Sequence, residues 1–127
     1  MRFKKHYTLA EARALLPQVR KWLSELNTAR QRLSCHDERV VGELAAGADL
    51  GGESVNDWFR NLARLQTLLI QFHKREIQLK DPERGLIDFP AVREGREVFL
   101  CWEQDEDDIE YWHDLDAGYA GREKLQE

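Results

Sequence analysis

The chain has 127 residues, of which 34% are charged and 42% hydrophobic, and its formal net charge is −5. This length predicts one domain over residues 1–127 with a real core, and the composition excludes a wholly disordered protein. The apolar runs, such as residues 68–70 and 98–102, are far too short for a membrane span. Two cysteines without metal or redox spacing, and no secretory signal, predict reduced thiols and a soluble, cytoplasmic protein.

The first two thirds of the chain predict two long helices. Thr8 and Glu11 form a capping box, and apolar residues then recur at steps of three and four, which predicts a helix over residues 8–46 that is kinked near Pro17. A similar stripe predicts a second helix over residues 54–80, with Glu76 as its one polar member. The short glycine-rich connection at 46–53 predicts an antiparallel helical hairpin.

The periodicity changes after Pro82. Residues 86–89, 97–102 and 109–112 are short and rich in β-branched or aromatic side chains, which predicts a three-stranded antiparallel meander within 85–113 and an ordered tail over 114–127. The expected fold is α+β, with the hairpin packed on this sheet. Both sheet faces are apolar, so the helices cover one, and the N-terminal segment, the tail or a partner subunit has to cover the other.

The predicted turns of the meander determine which side chains share a face. They are centred near Arg93 and Glu106. In that register one face carries Leu86, Asp88, Val98, Leu100, Trp102 and Trp112, and the other carries Ile87, Phe89, Phe99, Cys101, Tyr111 and His113. Asp88 is therefore expected on the face opposite to Cys101 and His113.

Several blocks of the sequence carry a family resemblance. They are Gly85-Leu86-Ile87-Asp88-Phe89-Pro90-Ala91, Gly95-Arg96 leading into Leu100-Cys101-Trp102, Tyr111-Trp112-His113-Asp114, Gly118-Tyr119-Ala120-Gly121-Arg122, and an opening with Thr8-Leu9-Ala10-Glu11-Ala12 and Leu15-Leu16-Pro17. In this order they resemble the bacterial and archaeal domain-of-unknown-function family 2203 over essentially the whole chain. The resemblance implies a soluble single domain, and it implies no activity, cofactor or catalytic residue.

The densest group of reactive side chains lies at the end of the third predicted strand. His113, Asp114 and Asp116, together with Cys101 or Asp88 from neighbouring strands, predict a metal site suited to zinc, nickel, manganese or iron, or a general acid–base group. In the predicted register Asp88 joins such a site only through a bulge. Alternatively, His113 bonds a backbone group, the two tail aspartates cap the loop, and Cys101 is a small buried residue.

A candidate ligand-binding set consists of Asp88, Arg96 and Arg122. A carboxylate inside an apolar strand needs a partner, and either Arg96 or Arg122 is expected to supply it, although a carboxylate in a cleft also fits a catalytic role. Arg122 follows Gly118 and Gly121, so it is also a candidate for binding an anionic ligand with help from loop amides.

Charge is distributed unevenly, with +5 over residues 1–80 and −10 over residues 81–127. Complementary charge and surplus apolar surface favour a non-catalytic binding or assembly protein that forms a homodimer. The alternative is a metal-binding protein or metal-dependent enzyme, with a divalent transition metal held on the C-terminal sheet and tail. The acidic total, with a pI near 5.4, argues against nucleic acid as a partner. Neither substrate nor catalytic residues follow from these patterns.

Overall fold

The computed structural model describes residues 1–45 and 53–126, and its fold is α+β, as predicted. The predicted three-stranded sheet is wrong, because the described residues form five strands in the order β1-β2-β3-β4-β5, each antiparallel to its neighbour. The elements in chain order are α1 (Leu9–Ala45), α2 (Glu53–His73), β1 (Gln78–Asp81), β2 (Leu86–Arg93), β3 (Arg96–Trp102), β4 (Tyr111–Asp114), a 3-10 turn (Tyr119–Gly121) and β5 (Glu123–Lys124). The predicted connection at 46–53 lies outside the described residues, except that α2 begins at Glu53.

The predicted capping box starts α1. The Glu11 N–H donates to Thr8 Oγ1 (3.1 Å), and the Thr8 N–H donates to Glu11 Oε1 (3.0 Å). These two bonds satisfy amides that have no partner within the helix, and the bond from the Thr8 backbone is the main cause of the lowered pKa of Glu11. The helix then runs through Pro17, which lies on its exposed side, so α1 is not broken there.

The second helix ends at His73, earlier than the predicted limit at residue 80. Its last turn closes with a Schellman motif, in which the Ile77 N–H donates to the Phe72 carbonyl (3.1 Å) and the Glu76 N–H donates to the His73 carbonyl (3.0 Å). Glu76 occupies the left-handed region (φ 59°) that usually favours glycine. The chain therefore leaves the helix at Glu76, and the end of the predicted helix forms β1 instead.

The helices pack antiparallel and cover one face of the sheet. The Trp22 ring of α1 lies edge-on to the Phe72 ring of α2, with 5.6 Å between the ring centres, and Glu25 of α1 pairs with Arg64 of α2. Residues later in α1 therefore contact residues earlier in α2. The sheet face beneath them contributes Ile87, Phe89, Ala91, Val98, Leu100, Trp102 and Trp112 to the core. Neither described helix carries an apolar stretch long enough to cross a bilayer.

The β2–β3 turn corrects the predicted register. Glu94 and Gly95 both have positive φ (54° and 76°) and form a two-residue hairpin turn of the type I′ class, with Arg93 opposite Arg96. Asp88 then lies directly opposite Cys101, so the predicted placement of these two residues on different faces is wrong. The second turn follows the prediction, since Leu100 pairs with Trp112 about a centre at residue 106.

The second sheet face is covered from both ends by this chain itself. The N-terminal segment (residues 2–7) places the Phe3 ring edge-on to Phe99 (5.4 Å), and the Tyr7 N–H donates to the Pro90 carbonyl (2.7 Å) at the edge of β2. The C-terminal tail (residues 115–126) places the Arg122 guanidinium 3.8 Å from the centre of the Tyr111 ring. Two of the three predicted covers are therefore present within one chain.

Candidate metal centre

Three neighbouring strands bring Asp88, Cys101 and His113 together on the second face of the sheet. Asp88 on β2 is opposite Cys101 on β3, and His113 on β4 is opposite Phe99, which shares a face with Cys101 because the two residues are two apart. One ligand atom from each residue lies within 4.8 Å of the other two, and all three side chains are buried. Among the described residues, no other group of three or more His, Cys, Asp or Glu side chains brings its ligand atoms this close together.

The imidazole of His113 is held in one orientation by both of its nitrogens. Nδ1 lies 2.7 Å from the Asp114 carbonyl oxygen, and since a carbonyl can only accept, Nδ1 donates a hydrogen bond to it. Nε2 then faces Oδ1 of Asp88 at 3.0 Å. Metal-ligating histidines commonly donate their second N–H to a backbone carbonyl or carboxylate in this way, so His113 is oriented for coordination through Nε2.

The thiol of Cys101 is poorly suited to act as a free nucleophile. Burial raises the pKa of Cys101 far above its ordinary range, and the charge of Asp88 and the hydrogen bond that the thiol donates to Asp88 raise it further. At neutral pH the group is therefore a thiol, whereas cysteine nucleophiles react as thiolates. A coordinated metal ion reverses this preference because it binds the thiolate directly.

A pocket of about 200 Å³ lies next to the three donors. Its other lining residues are Lys80, Leu86, Phe99, Leu115, Gly118 and Tyr119. The Lys80 ammonium lies 5.7 Å from the centre of the Phe99 ring, and among the described residues no carboxylate pairs with it. The pocket therefore connects the buried donors to solvent. Its walls are apolar, and Lys80 is the one described cationic side chain that lines it.

The donor set fits a tetrahedral divalent ion better than a hard cation. Thiolate, imidazole and carboxylate are ligands of zinc and of other borderline transition metals, whereas Mg²⁺ and Ca²⁺ select oxygen-only sites. Tetrahedral zinc with ordinary bond lengths separates its donors by about 3.3–3.6 Å. The present group, with donors within 4.8 Å, needs to contract by only about 1 Å. Three protein ligands would leave one of four positions for another ligand, and the pocket that the donors line would give access to it.

The other predicted site residues lie outside this group. Asp114 is exposed and its carboxylate pairs with Arg96 (3.1 Å), while Asp116 is also exposed. Arg122 pairs with Glu106 (2.5 Å), so the expected arginine partner of Asp88 is wrong, and His113 takes that role. Arg122 also lies over the rings of Tyr111 and Tyr119, so its described contacts are with the protein itself.

Lys80 is the pocket residue that the sequence did not single out. The helix predicted over residues 54–80 includes it, whereas it lies in β1 beside Phe99. The only signal was its position directly before Asp81-Pro82, where the helix had to have ended.

Comparison with known proteins gives a family and no further relative. A family model described as "Uncharacterized conserved protein (DUF2203)" matches residues 5–125, which confirms the resemblance seen in the sequence blocks. No curated protein and no solved structure matches the chain. The family description carries no chemistry.

Proposed function

The chain belongs to the DUF2203 family, and we propose that it binds one divalent transition-metal ion, preferably zinc, through Asp88, Cys101 and His113. The observation that carries this proposal is the convergence of three different donor types from three adjacent strands, all buried and within 4.8 Å of one another. The hydrogen bond from Nδ1–H of His113 adds support, because it fixes the ring with Nε2 directed toward the other donors.

A purely structural role accounts for only part of this arrangement. A hydrogen-bonded pair of Asp88 and His113, to which the Cys101 thiol adds a hydrogen bond, satisfies the polar groups, but it does not account for the adjoining pocket. Buried ionic groups are also weak contributors to stability, since apolar residues of similar volume do as well or better. A bound cation gives all three side chains the same role, as its ligands.

We further propose that the chain resides in a reducing compartment such as the cytoplasm. Both cysteines are free, Cys35 on the surface of α1 and Cys101 inside the sheet. Coordination through sulfur requires the reduced form, and thiols persist in the reducing compartments of the cell.

Metal titration of the protein after chelator treatment tests the proposal. Addition of Co²⁺ is expected to give one bound ion per chain, a thiolate-to-cobalt charge-transfer band in the near ultraviolet, and displacement by Zn²⁺. Cys101→Ser is expected to abolish the band, and Cys35→Ser, which changes the exposed cysteine, is expected to keep it. Saturating cobalt without a thiolate band, or a band that survives in Cys101→Ser, contradicts the proposed site.

A second proposal concerns assembly, and one observation favours it. Phe59, Ala63, Gln66 and Ile70 form an exposed stripe along α2, with Phe59 58% and Ile70 55% exposed. Their four-three-four spacing gives the helix a partly apolar outer face opposite the buried one. We propose that this stripe forms the interface of a homodimer. The second sheet face no longer supports a dimer, because the N-terminal segment and the tail cover it.

A further inference from the structure

The pocket beside the metal donors has the size and lining of a binding site for a small organic molecule. Its volume of about 200 Å³ has room for roughly six or seven water-sized groups. Leu86, Phe99 and Leu115 give it apolar walls, and the tail closes one side through Gly118 and Tyr119. Small-molecule sites commonly combine apolar walls with a few polar groups that fix orientation.

Charge in and around the pocket favours an anion. A divalent ion bound by one thiolate, one carboxylate and a neutral imidazole has no net charge. Lys80 then supplies one uncompensated positive charge, because its one described side-chain partner is the face of the Phe99 ring. Lys80 is exposed, so water solvates it in the empty pocket, and a ligand with a single negative charge gains an ion pair that a neutral ligand does not.

The tail that closes the pocket is held firmly by groups outside it. Tyr119 lies between the guanidinium groups of Arg84 and Arg122, each 4.6 Å from its ring centre, and its hydroxyl donates to Glu103 (3.1 Å). Arg84 and Arg122 pair with Glu103 and Glu106. These contacts fix the wall of the pocket in place before any ligand arrives, which lowers the entropy cost of binding.

Resting on the metal site proposed above, we propose that the pocket binds a small organic monocarboxylate. The carboxylate takes the open position of the metal ion, Lys80 supplies the opposite charge, and a short carbon chain lies against Phe99 and Leu115. Inorganic phosphate has the charge but no carbon chain for these walls, so the apolar lining selects against it. The protein is thus a metal-dependent receptor or enzyme for a carboxylic acid of a few carbon atoms.

Cobalt-loaded protein gives a direct test, since the visible absorption of bound Co²⁺ changes when a new ligand enters its coordination sphere. We expect butanoate to change this spectrum saturably, acetate to bind more weakly because it lacks the longer chain, and phosphate to bind more weakly still. Lys80→Met keeps most of the apolar stem over Phe99 and removes the charge, and it is expected to weaken butanoate binding about tenfold. Lys74→Met, which removes an exposed lysine just beyond α2, is the matched control and is expected to change nothing.

The outcomes separate this inference from the metal proposal. Failure to bind cobalt overturns both. Cobalt binding without any response to butanoate overturns the inference and leaves the metal site intact. Butanoate binding that is equally tight in Lys80→Met refutes the role of the lysine, and tighter binding of phosphate than of butanoate refutes the organic carboxylate.

Discussion

The buried pair of Asp88 and His113 predicts a large loss of stability when the imidazole is replaced in metal-free protein. Both residues are 2% exposed, and His113 Nε2 lies 3.0 Å from Asp88 Oδ1. The change His113→Leu fills much of the ring volume and leaves the carboxylate without this partner. Breaking a buried pair in this way costs about 3–5 kcal/mol of unfolding free energy. For a domain of this length that corresponds to a fall in Tm of roughly 10–20 °C.

Urea unfolding followed by far-ultraviolet circular dichroism, at neutral pH with chelator present, measures this loss. Asp114→Asn is the matched control, because Asp114 is exposed and pairs with Arg96 at the surface, and its expected cost is under about 1 kcal/mol. The double variant Asp88→Asn/His113→Leu is expected to be less destabilised than the sum of the single changes, since they share one interaction. A loss below about 1 kcal/mol for His113→Leu refutes the reasoning, because it means that water or another group satisfies Asp88.

Three further predictions concern other parts of the fold. Burial by itself raises the pKa of Glu97, but hydrogen bonds from His6 and from two backbone amides outweigh it and lower the pKa from 4.5 to about 2. The ionised form therefore contributes stability above pH 4.5 that is lost as the pH falls toward 2, and Glu97→Gln is expected to flatten acid-unfolding curves over that range; an unchanged slope contradicts the assignment. Gly85 has a positive φ (65°), and the change Gly85→Ala puts a Cβ 2.5 Å from Gln104 Cβ. Thermal unfolding is therefore expected to show a loss of about 1–3 kcal/mol in the free energy of unfolding. Gly95→Ala also has positive φ but meets nothing within 4 Å, so it is expected to cost less, and an equal loss argues against the clash. Ile70→Glu is expected to halve the mass measured by light scattering while leaving Tm nearly unchanged, and a wild-type protein that is already monomeric refutes the proposed dimer.

Features that depend on residues close together in the chain could be predicted from the sequence. The capping box at Thr8 and Glu11 is one example, because its two hydrogen bonds join residues three apart. The second turn of the meander is another, since the acidic run about Glu106 leaves little choice for its centre. The candidate donors His113 and Cys101 were also recognised by their residue types alone.

The grouping of the site depended on one turn whose geometry the sequence does not announce. Glu94-Gly95 is not among the residue pairs that typically mark a two-residue hairpin turn, yet both residues adopt positive φ. Because side chains alternate along a strand, moving the centre from Arg93 to the bond between Glu94 and Gly95 carries Asp88 to the other face relative to Cys101. For this reason the predicted register places Asp88 on the face opposite to Cys101 and His113.

The end of the second helix was missed for a related reason. Glu76 closes α2 in a conformation that usually requires glycine, so no glycine marks the end of the helix at His73. Ile77 and Leu79 fit a helical stripe and an alternating strand equally well, and β1 was therefore assigned to the helix. At two residues, β5 is too short to give any alternating pattern.

The way the N-terminal segment is held determines which substitutions it can accept. The amides of Arg2 and Phe3 donate to Glu97 (2.6 and 2.9 Å), and those of Lys4 and Lys5 donate to Glu76 (2.9 and 3.0 Å). Two carboxylates thus hold four successive main-chain groups, and these bonds do not depend on which side chains the four residues carry. Alanine scanning will therefore find residues 2, 4 and 5 nearly silent in this respect, whereas proline at any of them removes one of the four donors and weakens the attachment of the segment. In this segment, a substitution is tolerated when it keeps the backbone N–H group, whatever side chain it introduces.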